Sequence, residues 1–211
     1  MTTDPTLQWW QADGGTAYVR RNGRTDADIA ARKAALGRVL AHIPLPPASV
    51  LEVGSGPGSN LVALLGILPE AQIYAVEPSE AGRTASREVL AESRVYDGHA
   101  CAIPAADGTF TMAMTAGVLI HVDPARLRDA MVEIARVSRR YVLAIEYFAP
   151  ACEAVVYYGS ERIWRNDFGR LYVEIGLKPV ASDFFWRAGG DGYDNCVAWL
   201  LEKPEGWTVP A

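Results

Sequence analysis

Apolar residues along this chain fall into alternating blocks of two kinds. Val50–Val53, Gln72–Glu77, Arg94–Tyr96, Phe110–Ala116 and Tyr141–Phe148 are short apolar runs of strand length, bounded by turn residues such as Ala106-Asp107-Gly108-Thr109. Between them, apolar positions recur at helical spacing. Ile29, Leu36, Leu40 and Ile43 mark one helix, opened by Thr25 and Asp26 as caps and closed by Pro44-Leu45-Pro46-Pro47. A second helix spans about 59–68 and stops before Pro69. A third follows Pro78-Ser79-Glu80, with Ser79 as cap, and runs to about Ala91. A fourth begins at Asp123-Pro124, a cap followed by a first-turn proline, and runs to about Val137.

Strands that alternate with helices predict a parallel sheet covered on both faces. The alternation breaks after residue 149. A stretch rich in Tyr, Trp and Arg intervenes (Tyr157, Tyr158, Arg162, Trp164, Arg165), and a helix over Asp167–Ile175 then ends at Gly176. Val180–Phe185 and Cys196–Glu202 read as two late strands joined by a turn. The predicted fold is therefore α/β: a Rossmann-like, seven-stranded, mostly parallel sheet with an antiparallel last strand and helices on both faces. Residues 1–24, with Trp9, Trp10, Tyr18, Arg20 and Arg21, read as a leader or cap. Residues 25–211 read as one domain with an insertion near 149–168.

Composition narrows the partners. The net charge is -5 and no basic footprint stands out, since Arg20-Arg21 and Arg139-Arg140 read as solvated surface, so nucleic acid is not an expected partner. The longest apolar runs, such as Leu61–Leu68, are too short to span a bilayer. The N-terminus lacks a signal-peptide pattern. Cys101, Cys152 and Cys196 are odd in number and lack zinc-ligand spacing, so a reduced cytoplasmic setting without a metal centre is expected.

The chemistry concentrates in Glu52-Val53-Gly54-Ser55-Gly56-Pro57-Gly58, between the first strand and its helix. Such a turn brings bare backbone close to a nucleotide-like ligand. A dinucleotide site wants a third glycine at position 59, which is serine here, and Glu52 would repel a pyrophosphate. S-adenosylmethionine (SAM) carries a sulfonium and an ammonium, which a carboxylate at the strand end attracts. Glu77 ends the second strand, roughly 20 residues past the loop, where a carboxylate matches paired ribose hydroxyls.

These segments, with Val76-Glu77-Pro78, Asp97-Gly98, Ile103-Pro104, Asp107–Phe110 and Gly117-Val118-Leu119-Ile120-His121, resemble the class I SAM-dependent methyltransferases over roughly residues 48–148. Tyr18, Arg21-Asn22, Gly58-Ser59-Asn60, Glu146-Tyr147 and the tail Asp194–Lys203 are similar to the methylases associated with pseudaminic acid biosynthesis. The resemblance implies transfer of a methyl group from SAM, leaving S-adenosylhomocysteine, to an oxygen or nitrogen of a small polar, anionic acceptor such as a sugar acid of surface-polysaccharide biosynthesis. It implies a cofactor set of Tyr18, Arg21, Glu52, Gly54, Ser55, Gly56, Gly58, Asn60, Glu77, Pro78, Gly98, His99, Ala100, Cys101, Gly117 and Val118. His99 stands where the family commonly has an acid, so the backbone at Ala100 and Cys101, with Ile103, is expected to hold adenine.

His121, Glu146 and Tyr147, at strand ends beside the same cleft, are the candidate catalytic residues. Tyr157, Tyr158, Arg162 and Arg165 are candidates for acceptor binding, by stacking and by pairing with carboxylate or phosphate. A nicotinamide-dependent oxidoreductase and a non-catalytic SAM-binding module remain open alternatives.

Overall fold

The computed structural model describes residues 4–157 and 161–209, without the side chains of residues 157, 161 and 162. The chain runs through α1 (Pro5–Gln11), α2 (Asp13–Arg21), α3 (Asp26–Leu40), β1 (Ser49–Val53), α4 (Ser59–Ile67), β2 (Gln72–Glu77), α5 (Glu80–Arg87), β3 (Val95–Asp97) and β4 (Phe110–Ala116). It continues with α6 (Pro124–Val137), β5 (Ser138–Glu146), β6 (Glu153–Tyr157), β7 (Glu161–Arg165), α7 (Phe168–Glu174), β8 (Lys178–Phe185) and β9 (Cys196–Glu202).

Seven strands form one sheet in the order β3-β2-β1-β4-β5-β9-β8. β1 to β5 are mutually parallel, whereas β9 runs antiparallel to both β5 and β8. The helix starts follow their caps. The Thr25 hydroxyl accepts the Asp28 amide at 3.1 Å, Ser79 accepts that of Gly82 at 3.4 Å, and Asp123 accepts that of Ala125 at 2.8 Å ahead of Pro124.

The strands read as continuous apolar runs because both faces are covered. Val50, Ile73, Met112, Leu143 and Leu200 pack with Leu36, Leu61 and Leu64 of α3 and α4. Their neighbours Leu51, Val76, Ala113, Val142 and Leu201 pack with Leu127, Met131 and Ile134 of α6 and Phe168 and Tyr172 of α7. Alternate residues of one strand thus supply two cores.

Some bounds shift from expectation. Residues 92–94 form a 3₁₀ turn, so β3 begins at Val95; β5 ends at Glu146 rather than Phe148; and α5 ends at Arg87. The leader is two short helices, of which α2 docks against α5 and α1 packs on α2, and β6 and β7 form a separate two-stranded antiparallel sheet. Among the described residues no helix is long and apolar enough to cross a membrane.

Candidate active site

The sheet order reverses between β1 and β4, and parallel sheets open a ligand crevice at the carboxyl ends of such strands. The loop after β1 turns through Gly54, Gly56 and Gly58, whose φ angles of 74°, 50° and 81° suit glycine. A Cβ on Gly54 would lie 2.6 Å from Val118 Cγ2 in the loop after β4, and one on Gly56 would lie 3.1 Å from the Tyr18 ring. The glycines keep a bare backbone between two walls, one from β4 and one from α2.

Behind this loop lies a polar clamp. Glu52, 1% exposed, accepts a hydrogen bond from Asn60 Nδ2 on Oε1 at 2.7 Å. Asn60 Oδ1 in turn accepts from Arg32 at 2.8 Å and from the Tyr193 hydroxyl at 2.7 Å. Arg32 is held by Asp28 at 2.9 Å and lies over the Tyr193 ring. Glu52 Oε2 is buried and makes no hydrogen bond. Burial, with the neighbouring Glu77 charge, pushes the Glu52 carboxyl up to about 8, against the pull of Asn60 and Arg32. Glu52 lines a polar lobe shared with Tyr18, Arg21, Asp28, Arg32, Ser55 and Asn60.

Glu77, 5% exposed, closes the next side. Its Oε2 accepts the Gly56 amide and its Oε1 the Ser79 amide, each at 2.9 Å, which fixes the carboxyl against the glycine loop. Each carboxylate oxygen keeps a second lone pair for a ligand hydroxyl. Burial raises its pKa, opposed by those two amides. Gly82 must lack a side chain here, since a Cβ would sit 2.6 Å from Glu77 Cγ.

An adjoining, mainly apolar lobe is bounded by Gly54, Gly56, Glu77 and Pro78, by His99, Ala100 and Cys101, by Gly117, Val118 and His121, and by Leu7, Trp10 and Tyr18 of the cap helices. Two expectations change there. The Cys101 amide donates to His99 Nδ1 at 3.3 Å, and Ile103 is 4% exposed in the core, its amide donating to Glu133 at 2.8 Å. His99 therefore shapes its own turn, and neither the Cys101 nor the Ile103 amide faces the cleft unengaged. Gly98 sits behind, where a Cβ would press on Pro104 and Val76 at 2.9 Å.

His121 ends a 3₁₀ turn, Leu119–His121, and meets the Trp10 ring edge-to-face at 4.8 Å. Burial pushes its imidazole down to about 4, so it is neutral at pH 7 and offers one ring nitrogen as a hydrogen-bond acceptor. Glu146 does not line the cleft. It is 0% exposed, and its Oε1 accepts the amides of Val118 and Leu119 at 3.2 Å each. It holds the turn that carries His121, and burial pushes it up to about 7. Tyr147 also stays out of the cleft, its hydroxyl donating to Asp194 at 3.1 Å. Both were expected beside the cleft. The pleat at the end of β5 instead turns Glu146 into the interior, under α7.

The acceptor candidates are less well placed. Arg165 ends β7 opposite Glu153 and does not line the cleft. Tyr158 lies outside the described residues, and Tyr157 and Arg162 fall where only the backbone is described. Sequence reasoning missed Arg32, Tyr193 and Trp10. The Asp28–Arg32 spacing was a helical ion-pair signal, yet nothing local pointed it at Asn60, and Tyr193 is distant in sequence. Among the described residues no group of His, Cys, Asp and Glu is placed to hold a metal ion.

The residues present fit a ligand that is part cation and part nucleoside: an orphaned buried carboxylate oxygen, a bare glycine cradle and an acid at the second strand end. No curated protein sequence matches the chain. By structure it is similar to the 1,6-didemethyltoxoflavin-N1-methyltransferase of Burkholderia thailandensis, solved with 1,6-didemethyltoxoflavin and S-adenosylhomocysteine, at a TM-score of 0.73 and 17% identity over 97% of this chain and 92% of that one. It is also similar to magnesium protoporphyrin IX methyltransferase of Synechocystis with bound SAM, at a TM-score of 0.62 and 15% identity over 95% and 97% of the two chains. A methyltransferase-domain family matches residues 50–140, and the sheet order and crevice are those of the fold found in SAM-dependent methyltransferases.

Proposed function

We propose that this chain is a SAM-dependent methyltransferase acting on a small molecule. The observation that carries the reading is Glu52 Oε2, a buried carboxylate oxygen without a hydrogen bond, beside the glycine loop. Glu146 Oε2 is open too but lines neither lobe, whereas Glu52 lines the polar lobe, where a cation completes its carboxylate best. Glu52 would face the ammonium, Arg21 or Arg32 the carboxylate, and Glu77 the ribose hydroxyls. Pro78, Ala100 and Val118 would enclose the base.

SAM supplies a methyl group on a sulfonium; the acceptor's oxygen or nitrogen takes that methyl, the sulfur keeps the bonding pair as a neutral thioether, and the acceptor's proton departs. His121 lines the cleft and would accept a hydrogen bond from the acceptor's hydroxyl or amine, while a pKa near 4 makes it a weak base and leaves the proton to solvent. Tyr18 and Trp10 would shut water from the reacting end. The nicotinamide reading is disfavoured by Ser59 at the third glycine position and by Glu52.

The resemblance to pseudaminic acid-associated methylases would imply an anionic sugar acid as acceptor, but Arg165 does not line the cleft and so gives that reading no support. Cys101, Cys152 and Cys196 are free thiols, which supports a reducing, cytoplasmic setting.

Calorimetric titration tests the cofactor. SAM and S-adenosylhomocysteine are expected to bind at micromolar concentrations and NAD not to bind. Folded protein that ignores SAM at tens of micromolar would sink the reading. Glu77→Ala should weaken SAM roughly 10- to 100-fold, the worth of hydrogen bonds to a charged group.

A further inference from the structure

Trp10 is one of three rings that form a continuous wall on one side of the apolar lobe. Its centroid lies 4.8 Å from that of His121 at 71° and 5.3 Å from that of Tyr18 at 74°. Tyr18 ends the wall against the glycine loop, 3.1 Å from where a Gly56 Cβ would stand. His121 ends it at the turn after β4. The wall therefore spans from the cofactor loop to the candidate base, where an acceptor must lie. Leu7, Val19 and Val122 continue the same lobe in apolar character.

The charges around this lobe are lopsided. Among the described lining residues the ionised side chains are acids, Asp4 and Glu77, and no lysine or arginine lines it. Arg21 and Arg32 belong to the polar lobe on the other side of Tyr18, and Arg32 is already committed to Asp28 and Asn60. Arg126 approaches the mouth, but Asp4 faces it at 3.9 Å. With Glu77 given over to the ribose, an anion entering beside the cofactor would lose its hydration without a lining cation to replace it and would meet Asp4 at the mouth. A flat neutral ring would instead gain edge and face contacts with three aromatic side chains.

We infer that the acceptor is a planar, uncharged aromatic or heteroaromatic small molecule bearing a hydroxyl or nitrogen, lodged against the Trp10–Tyr18–His121 wall, with Trp10 setting the specificity. The inference rests on the methyltransferase reading of the cleft and sets the acceptor apart from the anionic sugar acids. Trp10 is a binding residue in it, and His121 is the wall member that faces the reacting proton. The neutral state of the buried His121 agrees with a neutral partner.

The test is calorimetry on protein saturated with S-adenosylhomocysteine. The probes are a panel of hydroxylated quinolines, indoles and flavones, with glucuronate and N-acetylneuraminate as the anionic set. At least one aromatic probe should bind below millimolar concentration, and neither sugar acid should bind. Trp10→Ala should weaken that probe roughly tenfold or more. Trp10→Phe should restore most of the binding, and both variants should keep the wild-type far-ultraviolet circular dichroism and a cooperative thermal transition, which general unfolding cannot produce. Binding of a sugar acid in place of the aromatics overturns the inference, as does an aromatic probe indifferent to Trp10→Ala. If S-adenosylhomocysteine fails to bind the folded wild type, the methyltransferase reading itself falls; if it binds and every aromatic probe fails, only the acceptor class falls.

Discussion

At the scale of single residues, three buried acids with raised pKa values, Glu52, Glu77 and Glu146, set the pH behaviour. Glu52 has a folded-state pKa raised to about 8, far above its ordinary value of about 4.3. A raised carboxyl favours folding while protonated, so its contribution is full below the ordinary value and is lost as pH rises through about 8. Cofactor-free protein should therefore lose stability between pH 5 and pH 8, and Glu52→Gln should make that decline shallower by removing the Glu52 share, leaving those of Glu77 and Glu146. An ammonium beside Glu52 demands the carboxylate, so SAM affinity should climb with pH towards 8, by up to about tenfold per unit. Titration at pH 7 in buffers of different ionisation enthalpy should report about one proton released; a heat independent of buffer would show that Glu52 is ionised beforehand. Glu146 acts on the turn rather than on a ligand. Glu146→Ala strands the Val118 and Leu119 amides and should cost roughly 2–5 kcal/mol in chemical denaturation. Glu146→Gln keeps an acceptor oxygen and should recover most of that loss; equal damage from both would mean that its charge matters. The acids and glycines were legible in the sequence because their meaning is local, a strand end followed by a turn. The direction in which Glu146 points was not, since one step along a pleat reverses the side a residue faces.

At the scale of elements, the helices and parallel strands were readable from capping residues and apolar runs. Thr25, Ser79 and Asp123 announce their helices within a few residues. The cap helices were not readable: α1 and α2 are short, contain Gly14 and Gly15, and bury almost nothing by themselves. Their order comes from docking, which local pattern does not encode. Gly15 is the contact that permits it, because a Cβ there would lie 2.3 Å from the Trp10 carbonyl and 2.4 Å from Ser79 Oγ. Gly15→Val should lift α2 from α5, weaken SAM about tenfold and shift thermal unfolding by only a few degrees. Unchanged affinity would show that the cap plays no part in holding the cofactor. The β6–β7 hairpin escaped for a related reason. Its strands are five residues each, and the described side chains of β6 are mostly exposed, so apolar alternation does not mark it.

At the scale of the molecule, a sheet order with its switch between β1 and β4 fixes where a ligand goes and leaves open what the partner molecule is. The cofactor loop was legible because its parts lie within a few residues of one another. The acceptor lobe was not, because it is assembled from the cap, the turn after β4 and the loop at His99–Cys101, which meet only in the folded chain. One long-range contact has a consequence for how the protein is made. The Tyr193 hydroxyl holds Asn60, and Asn60 holds Glu52. On the ribosome the glycine loop emerges early, with Asn60 bonded to Glu52 and Arg32, and the last support arrives only once Tyr193 has been extruded. Any ligand that prefers the finished clamp draws the terminal hairpin into place by mass action. Cofactor supply during synthesis would then act as a late proofreader, favouring chains that have been completed.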